Sequence, residues 1–174
     1  MSRIFLNPGH CVGLDPGAID NGLQEADITL KICRLTEAYL LAVGLTTKLF
    51  QYDGLEEICN ASNSFNADLF ISVHCNAADS PAAHGTETFY FQSSVNGEKL
   101  ARCIQNQITS SLGTFNRGIK PDNSLYVLKH TAAPAVLVEL AFITNSRDAK
   151  LLAYYQDSFA RATARGITDF FISK

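Results

Sequence analysis

Two apolar runs constrain this chain most, Leu69-Phe70-Ile71-Ser72-Val73 and Ala135-Val136-Leu137-Val138. Both are short and of β type, and neither alternates apolar with polar residues. Strands of that kind are buried on both faces, which helices must cover. The second run continues as PAVLVELAFIT, residues 134–144, so that Glu139 stands among Val, Leu, Ala, Phe and Ile. A buried carboxylate is costly unless it is paired or bound to a metal. Left uncompensated, it would threaten a fold that is only ~5–15 kcal/mol stable.

The remaining pattern alternates between strand and helix. RIFLN (3–7) is a short β run stopped by Pro8-Gly9. Ile28, Ile32, Leu35, Tyr39 and Ala42 fall at helical spacing before Gly44, which predicts a helix over 26–43. LTTKLFQ (45–51) predicts a strand, and Leu55, Ile58, Ser62 and Phe65 a second helix. DLFISVH (68–74) is a strand, and GTETFYFQ (85–92) alternates in part, as an edge strand does. Leu100, Ile104, Ile108 and Leu112 mark a third helix. SLYVLK (124–129) and AVLVEL (135–140) read as two more strands. Asn145 or Ser146 caps a short helix through Leu152, and Phe159, Thr163, Ile167 and Phe170 mark a last one. The order predicts an α/β fold, a single domain over residues 1–174, with a mostly parallel twisted sheet of about six strands and helices on both faces.

Composition removes several function classes. The net charge is −3, with 14 basic and 17 acidic residues scattered evenly, so no footprint for nucleic acid or anionic membrane exists. Five cysteines without CxxC spacing read as reduced thiols rather than a disulfide framework. No apolar run is long enough to span a bilayer. The opening MSRIFLNPGH lacks the apolar stretch of a secretory signal.

In open α/β sheets, ligands gather beyond the carboxyl ends of the strands. Three strands deliver ionisable residues there: His10 past the first, His74 at the end of the third and Glu139 near the end of the last. Glu25 stands at the mouth of the first long helix, where the helix N-terminus favours a carboxylate. Two histidines and a carboxylate form a recurring ligand set of catalytic zinc, and a second carboxylate serves as a base. The spacing leaves other readings open. His10 fits a loop or capping residue, His74 a core histidine, Glu25 simple helix-end complementation, and Glu139 a buried ion pair. Cys11 and Cys75 follow the two histidines; on a strand Cys75 points away from His74, and packing is the expected role of both. His84 and His130 fall in expected loops, and His130, Asn76 and residues 13–23 lie where they could line a cleft.

Four motifs together resemble the zinc-dependent N-acetylmuramoyl-L-alanine amidases of the Amidase_3 type. They are NPGH (7–10) with DPGA (15–18), Glu25 before a long helix, ISVHCNA (71–77), and PAVLVELAFITN (134–145). The resemblance implies Zn²⁺ held by His10, Glu25 and His74, and Glu139 as general base. It implies hydrolysis of the amide between N-acetylmuramic acid and L-alanine, with peptidoglycan as partner and the chain acting as a monomer. Ala141 stands where that family more often has Gly, and residues 56–67 lack its usual arginine. Regulated members carry a blocking helical insertion, and the segment between His74 and GTETFYF is too short for one.

Two other functions share these residues: a zinc carboxypeptidase or peptidase on another wall amide, and an inactive wall-binding module. The expected site of action is the bacterial cell wall. With no export signal visible, the chain is expected to be a phage-lysin type released by a partner, or a fragment of a secreted autolysin.

Overall fold

The computed structural model describes residues 1–172, so the last two positions of the expected 1–174 domain lie outside the described residues. The chain runs β1 (Arg3–Pro8), β2 (Ile19–Asp20), β3 (Leu23–Gln24), α1 (Glu25–Ala42), β4 (Thr46–Leu49), α2 (Leu55–Phe65) and β5 (Leu69–Asn76). It continues as β6 (Thr86–Tyr90), α3 (Val95–Leu112), β7 (Asn116–Pro121), α4 (Tyr126–His130), β8 (Ala135–Phe142), α5 (Ser146–Tyr154) and α6 (Gln156–Ile172). Six strands form one sheet in the order β4-β1-β5-β8-β6-β7, and β2 and β3 form a separate ribbon. β4, β1, β5 and β8 are mutually parallel, β6 is antiparallel to β8, and β7 is parallel to β6. This is the expected α/β architecture, a mostly parallel sheet covered on both faces.

Two expectations for the second half are corrected. SLYVLK is not a strand. Asp122 Oδ1 accepts from the backbone N–H groups of Ser124 and Leu125, at 2.7 and 3.1 Å, and turns the chain into α4. Apolar residues alone misread that segment, because the turn chemistry of Asp122-Asn123-Ser124 precedes it. The sixth strand is instead β7, NRGIKP, whose pattern is broken by Gly118 at φ +84° and closed by Pro121. A glycine bulge and a proline are both tolerated on an edge strand, which β7 is. β6, expected at the edge, is therefore interior.

Alternation along the strands divides the core. Ile4, Leu6, Ile71, Val73, Val136, Val138 and Leu140 pack with buried residues of α1, α3 and α6 on one face. Phe5, Phe70, Ala135 and Leu137 pack with Ile58 and Cys59 of α2 and Val127 and Leu128 of α4 on the other. The Phe5 and Phe70 rings stack there at 5.6 Å. On this second face the covering helices have only 11 and 5 residues. A cleft of about 330 Å³ remains, lined on its floor by Asn7, Ser72, Leu137 and His74, and on its walls by Tyr52, Leu55 and Tyr126. Since side chains two residues apart share a face, Glu139 and Glu87 belong to the same side of the sheet.

Candidate metal centre

His74 sits near the end of β5 and pairs in register with Glu139 of β8, which in turn pairs with Glu87 of β6. The three side chains thus form one row across the sheet. His10 lies just past β1, in a turn closed by the backbone bond from Cys11 N–H to the Asp15 carbonyl at 2.8 Å. Its φ of +60° is rare for a residue with a side chain. That strain aims the imidazole back at the sheet, where His10 and His74 meet edge to face at 5.3 Å. Glu25 is the first residue of α1 and is buried.

The Glu25 carboxylate is the centre of the cluster. Oε2 lies 3.1 Å from His10 Nε2 and accepts from Ala18 N–H at 3.0 Å. Oε1 lies 3.0 Å from His74 Nδ1 and accepts from Cys75 N–H at 2.9 Å. Burial opposes ionisation of Glu25, but the hydrogen bonds from the two histidines prevail and hold its carboxyl far below the ordinary range. The same contact with Glu25 raises His10 to about 9, against the opposing effect of its own burial and with further help from Asp15. One ligand atom each from His10, Glu25 and His74 lies within 4.8 Å of the others, a donor set of two imidazoles and one carboxylate that fits a metal ion.

Glu139 completes the arrangement. It forms no ion pair among the described residues, which removes the buried-pair reading, and its Oε2 is sealed from solvent without a hydrogen-bond partner. Burial pushes its carboxyl up to about 7, with nearby Glu25 and Glu87 acting in the same direction and His74 against. An orphaned carboxylate oxygen on the row of His74 is a basic atom with nothing in the protein to accept from. Such a group suits a site where a polar reactant or a cation arrives.

Asp15 is a site residue that residue-by-residue reading missed. Its Oδ2 lies 2.6 Å from His10 Nδ1, and its Oδ1 accepts from Gly17 N–H at 3.0 Å. The carboxylate thereby orients the ring so that Nε2 faces Glu25, the usual way a ligating histidine is fixed. The available signal was an aspartate in a glycine-rich turn five positions after His10. Gly17 matters for a different reason: at φ +65°, a Cβ there would come 2.5 Å from His10 Cδ2 and 2.7 Å from Glu25 Oε2. Replacing Asp15 with Ala should leave the fold intact and lower metal affinity by about 10–100-fold. Competition with a chromophoric chelator measures it, and unchanged affinity would mean that the Asp15–His10 contact does not orient a ligand.

Other expected residues take lesser places. Cys75 is buried with its thiol pushed well up by burial, and its backbone rather than its sulfur serves the site. Cys11 lies in the turn, partly exposed. His130 is exposed and stacks on Tyr126 at 4.1 Å, and only Tyr126 of that pair lines the cleft. His84 is exposed and packs on Phe115. Asn76 donates to Glu87 at 2.6 Å instead of reaching into the cleft. Among the described residues, the segment between β5 and β6 contains no helix.

Known proteins share both the sequence and this fold. The chain is 40% identical over 176 residues to N-acetylmuramoyl-L-alanine amidase LytC of Bacillus subtilis, covering 97% of this chain but 35% of that protein. It is 38% identical over 175 residues to the endolysin of Bacillus phage SPP1, covering 94% of this chain and 62% of that one. The solved structure of N-acetylmuramoyl-L-alanine amidase AmiC2 of Nostoc punctiforme superposes with a TM-score of 0.92 at 31% identity, covering 99% and 98% of the two chains. Residues 4–169, and with them the whole histidine–glutamate cluster, match the family described as N-acetylmuramoyl-L-alanine amidase, so this chain belongs to the Amidase_3 family.

Proposed function

We propose that this chain is a zinc-dependent catalytic domain that hydrolyses the amide between the lactyl group of N-acetylmuramic acid and L-alanine in peptidoglycan. The observation that carries the reading is the pairing of the His10–Glu25–His74 donor set with a partnerless Glu139 oxygen on the same row of the sheet. His10 through Nε2, Glu25 through its carboxylate and His74 through Nδ1 would hold the ion. Bound zinc supplies Lewis acidity, which polarises a carbonyl and makes water a nucleophile near neutral pH. Glu139 takes one proton from the attacking water as the new C–O bond forms. It then delivers that proton to the nitrogen as the C–N bond breaks, leaving a lactyl carboxylate and a free alanine amine. Asp15 and the two backbone N–H donors on Glu25 keep the ligands in place throughout. The likeness to LytC and to a phage endolysin supports action at the bacterial cell wall. Among the described residues, no helix is long and apolar enough to cross a membrane.

Digestion of purified peptidoglycan tests the assignment. Expected products are peptides with new L-alanine amino termini and intact glycan strands, identified by mass spectrometry. A chelator should stop their release and added zinc restore it. New termini on other residues would indicate a peptidase, and new reducing ends a glycosidase, which needs a paired carboxylic acid and carboxylate.

A further inference from the structure

The row that carries His74 and Glu139 continues into a second charged cluster. Glu87 of β6 lies opposite Glu139 and is only 4% exposed. Its Oε1 accepts from Asn76 Nδ2 at 2.6 Å, and its Oε2 from Arg117 Nε at 3.1 Å and from Lys120 Nζ. Burial opposes its ionisation, yet the bonds from Lys120 and Arg117 hold its carboxyl below the ordinary range. One carboxylate is thus met by two cations, so the Glu87–Arg117–Lys120 cluster itself carries one positive charge in excess.

Both cations are fixed but open. The Arg117 guanidinium sits over the Phe142 ring at 4.9 Å, and Lys120 Nζ over Phe89 at 5.9 Å. Their side chains remain 30% and 42% exposed. Neutralising Glu87 requires one cation; Arg117 also donates to the His84 carbonyl at 3.4 Å, but among the described residues no second carboxylate pairs with either cation. Neighbouring strands are about 4.8 Å apart, which puts β7 roughly 10 Å from Glu139, or about three residues of extended peptide. The long Arg and Lys side chains shorten that span by reaching back to Glu87.

We infer that Arg117 and Lys120, positioned by Glu87, form an anion subsite for a free carboxylate of the stem peptide, one to two residues beyond the scissile amide. The inference rests on the amidase reading and names what the enzyme recognises on the peptide side of the bond. Arg117 presents a planar fork suited to a carboxylate and Lys120 a mobile point charge. Glu87 is a positioning residue, since its own oxygens are already occupied.

The test uses two synthetic muramoyl dipeptides that differ only in a carboxylate or a carboxamide on the residue after L-alanine. Zinc-loaded wild type should cleave the carboxylate form with about tenfold higher kcat/KM, mostly through KM, as a charge-assisted contact implies. In Lys120→Met that ratio should fall toward unity, and Lys120→Arg should retain it. Should Lys120→Met fail to fold, wild type alone decides. The corresponding L-alanyl product dipeptide should then inhibit more tightly as the carboxylate, by a margin that narrows in salt of about 1 M. Equal cleavage of both substrates, or a preference that survives Lys120→Met, overturns the subsite and leaves the amidase reading standing. Failure to cleave either one overturns the amidase reading, and the subsite with it.

Discussion

Glu139→Gln should retain fold and metal while losing about 10²–10⁴-fold in turnover, the usual cost of removing a general base. The amide is nearly isosteric with the carboxylate, and none of the three residues of the donor set is altered. Release of alanine-terminated peptides measures the rate, and elemental analysis of the same sample measures the metal. Near-full activity would show Glu139 to be structural.

The same variant has a second expected signature, of opposite sign, in metal-free protein. Burial pushes Glu139 from 4.5 to about 7, so the folded chain binds more protons than the unfolded chain between those values. Stability therefore falls as pH rises through that window, by about 3 kcal/mol once the carboxylate is fully ionised. Gln carries no such penalty. Metal-free Glu139→Gln should be more stable than wild type by that amount at about pH 8, and by nearly nothing below about pH 4.5. Urea melts at the two pH values give both differences. A bound divalent cation would favour the ionised carboxylate and shrink the gap, so the comparison needs chelated samples. A variant that is inactive when loaded yet more stable when stripped marks a group held for chemistry at the expense of the fold.

The sheet's centre was legible because its strands are buried on both faces. LFISV and AVLV admit few alternatives to covered parallel strands, and the ionisable residues at their ends stand out for the same reason. The edge was not legible. β7 owes its place to a partner strand, and with Gly118 and Pro121 in its six residues it carries no periodic signal. α4 misled in the other direction, since Leu125, Tyr126, Val127 and Leu128 suit a strand until Asp122 turns the chain. Three elements of the site needed coordinates. Asp15 acts through a hydrogen bond across a turn, and its side chain could as well have faced solvent. Glu87 joins Glu139 only through an antiparallel register that the linear sequence does not reveal. Arg117 and Lys120 reach Glu87 because the bulge at Gly118 resets the register between β6 and β7. In the last two cases the chemistry depends on which strand lies beside which, and loop entropy and sheet closure decide that rather than local propensity.

His10→Ala and His74→Ala should each reduce zinc from one equivalent per chain toward none and abolish hydrolysis. Zinc in a catalytic site keeps three protein ligands and one open position, so loss of an imidazole leaves only two, the other imidazole and the Glu25 carboxylate. Both variants should also lose stability in the metal-free form. His10 bonds to Asp15 and to Glu25 Oε2, so its removal leaves Asp15 free to hydrate and Glu25 Oε2 with Ala18 N–H as its remaining partner. His74 stands within β5 between Glu25 and the row of Glu139, and its removal leaves Glu25 Oε1 with Cys75 N–H as its remaining partner. Each loss leaves the buried Glu25 carboxylate less compensated, so both metal-free variants should be less stable than wild type. Each deficit should grow with pH as that carboxylate ionises. Elemental analysis, peptide release and urea melts on both variants read these outcomes. Full zinc occupancy in both would move the metal elsewhere, and wild-type stability in both would show that neither histidine compensates the Glu25 charge.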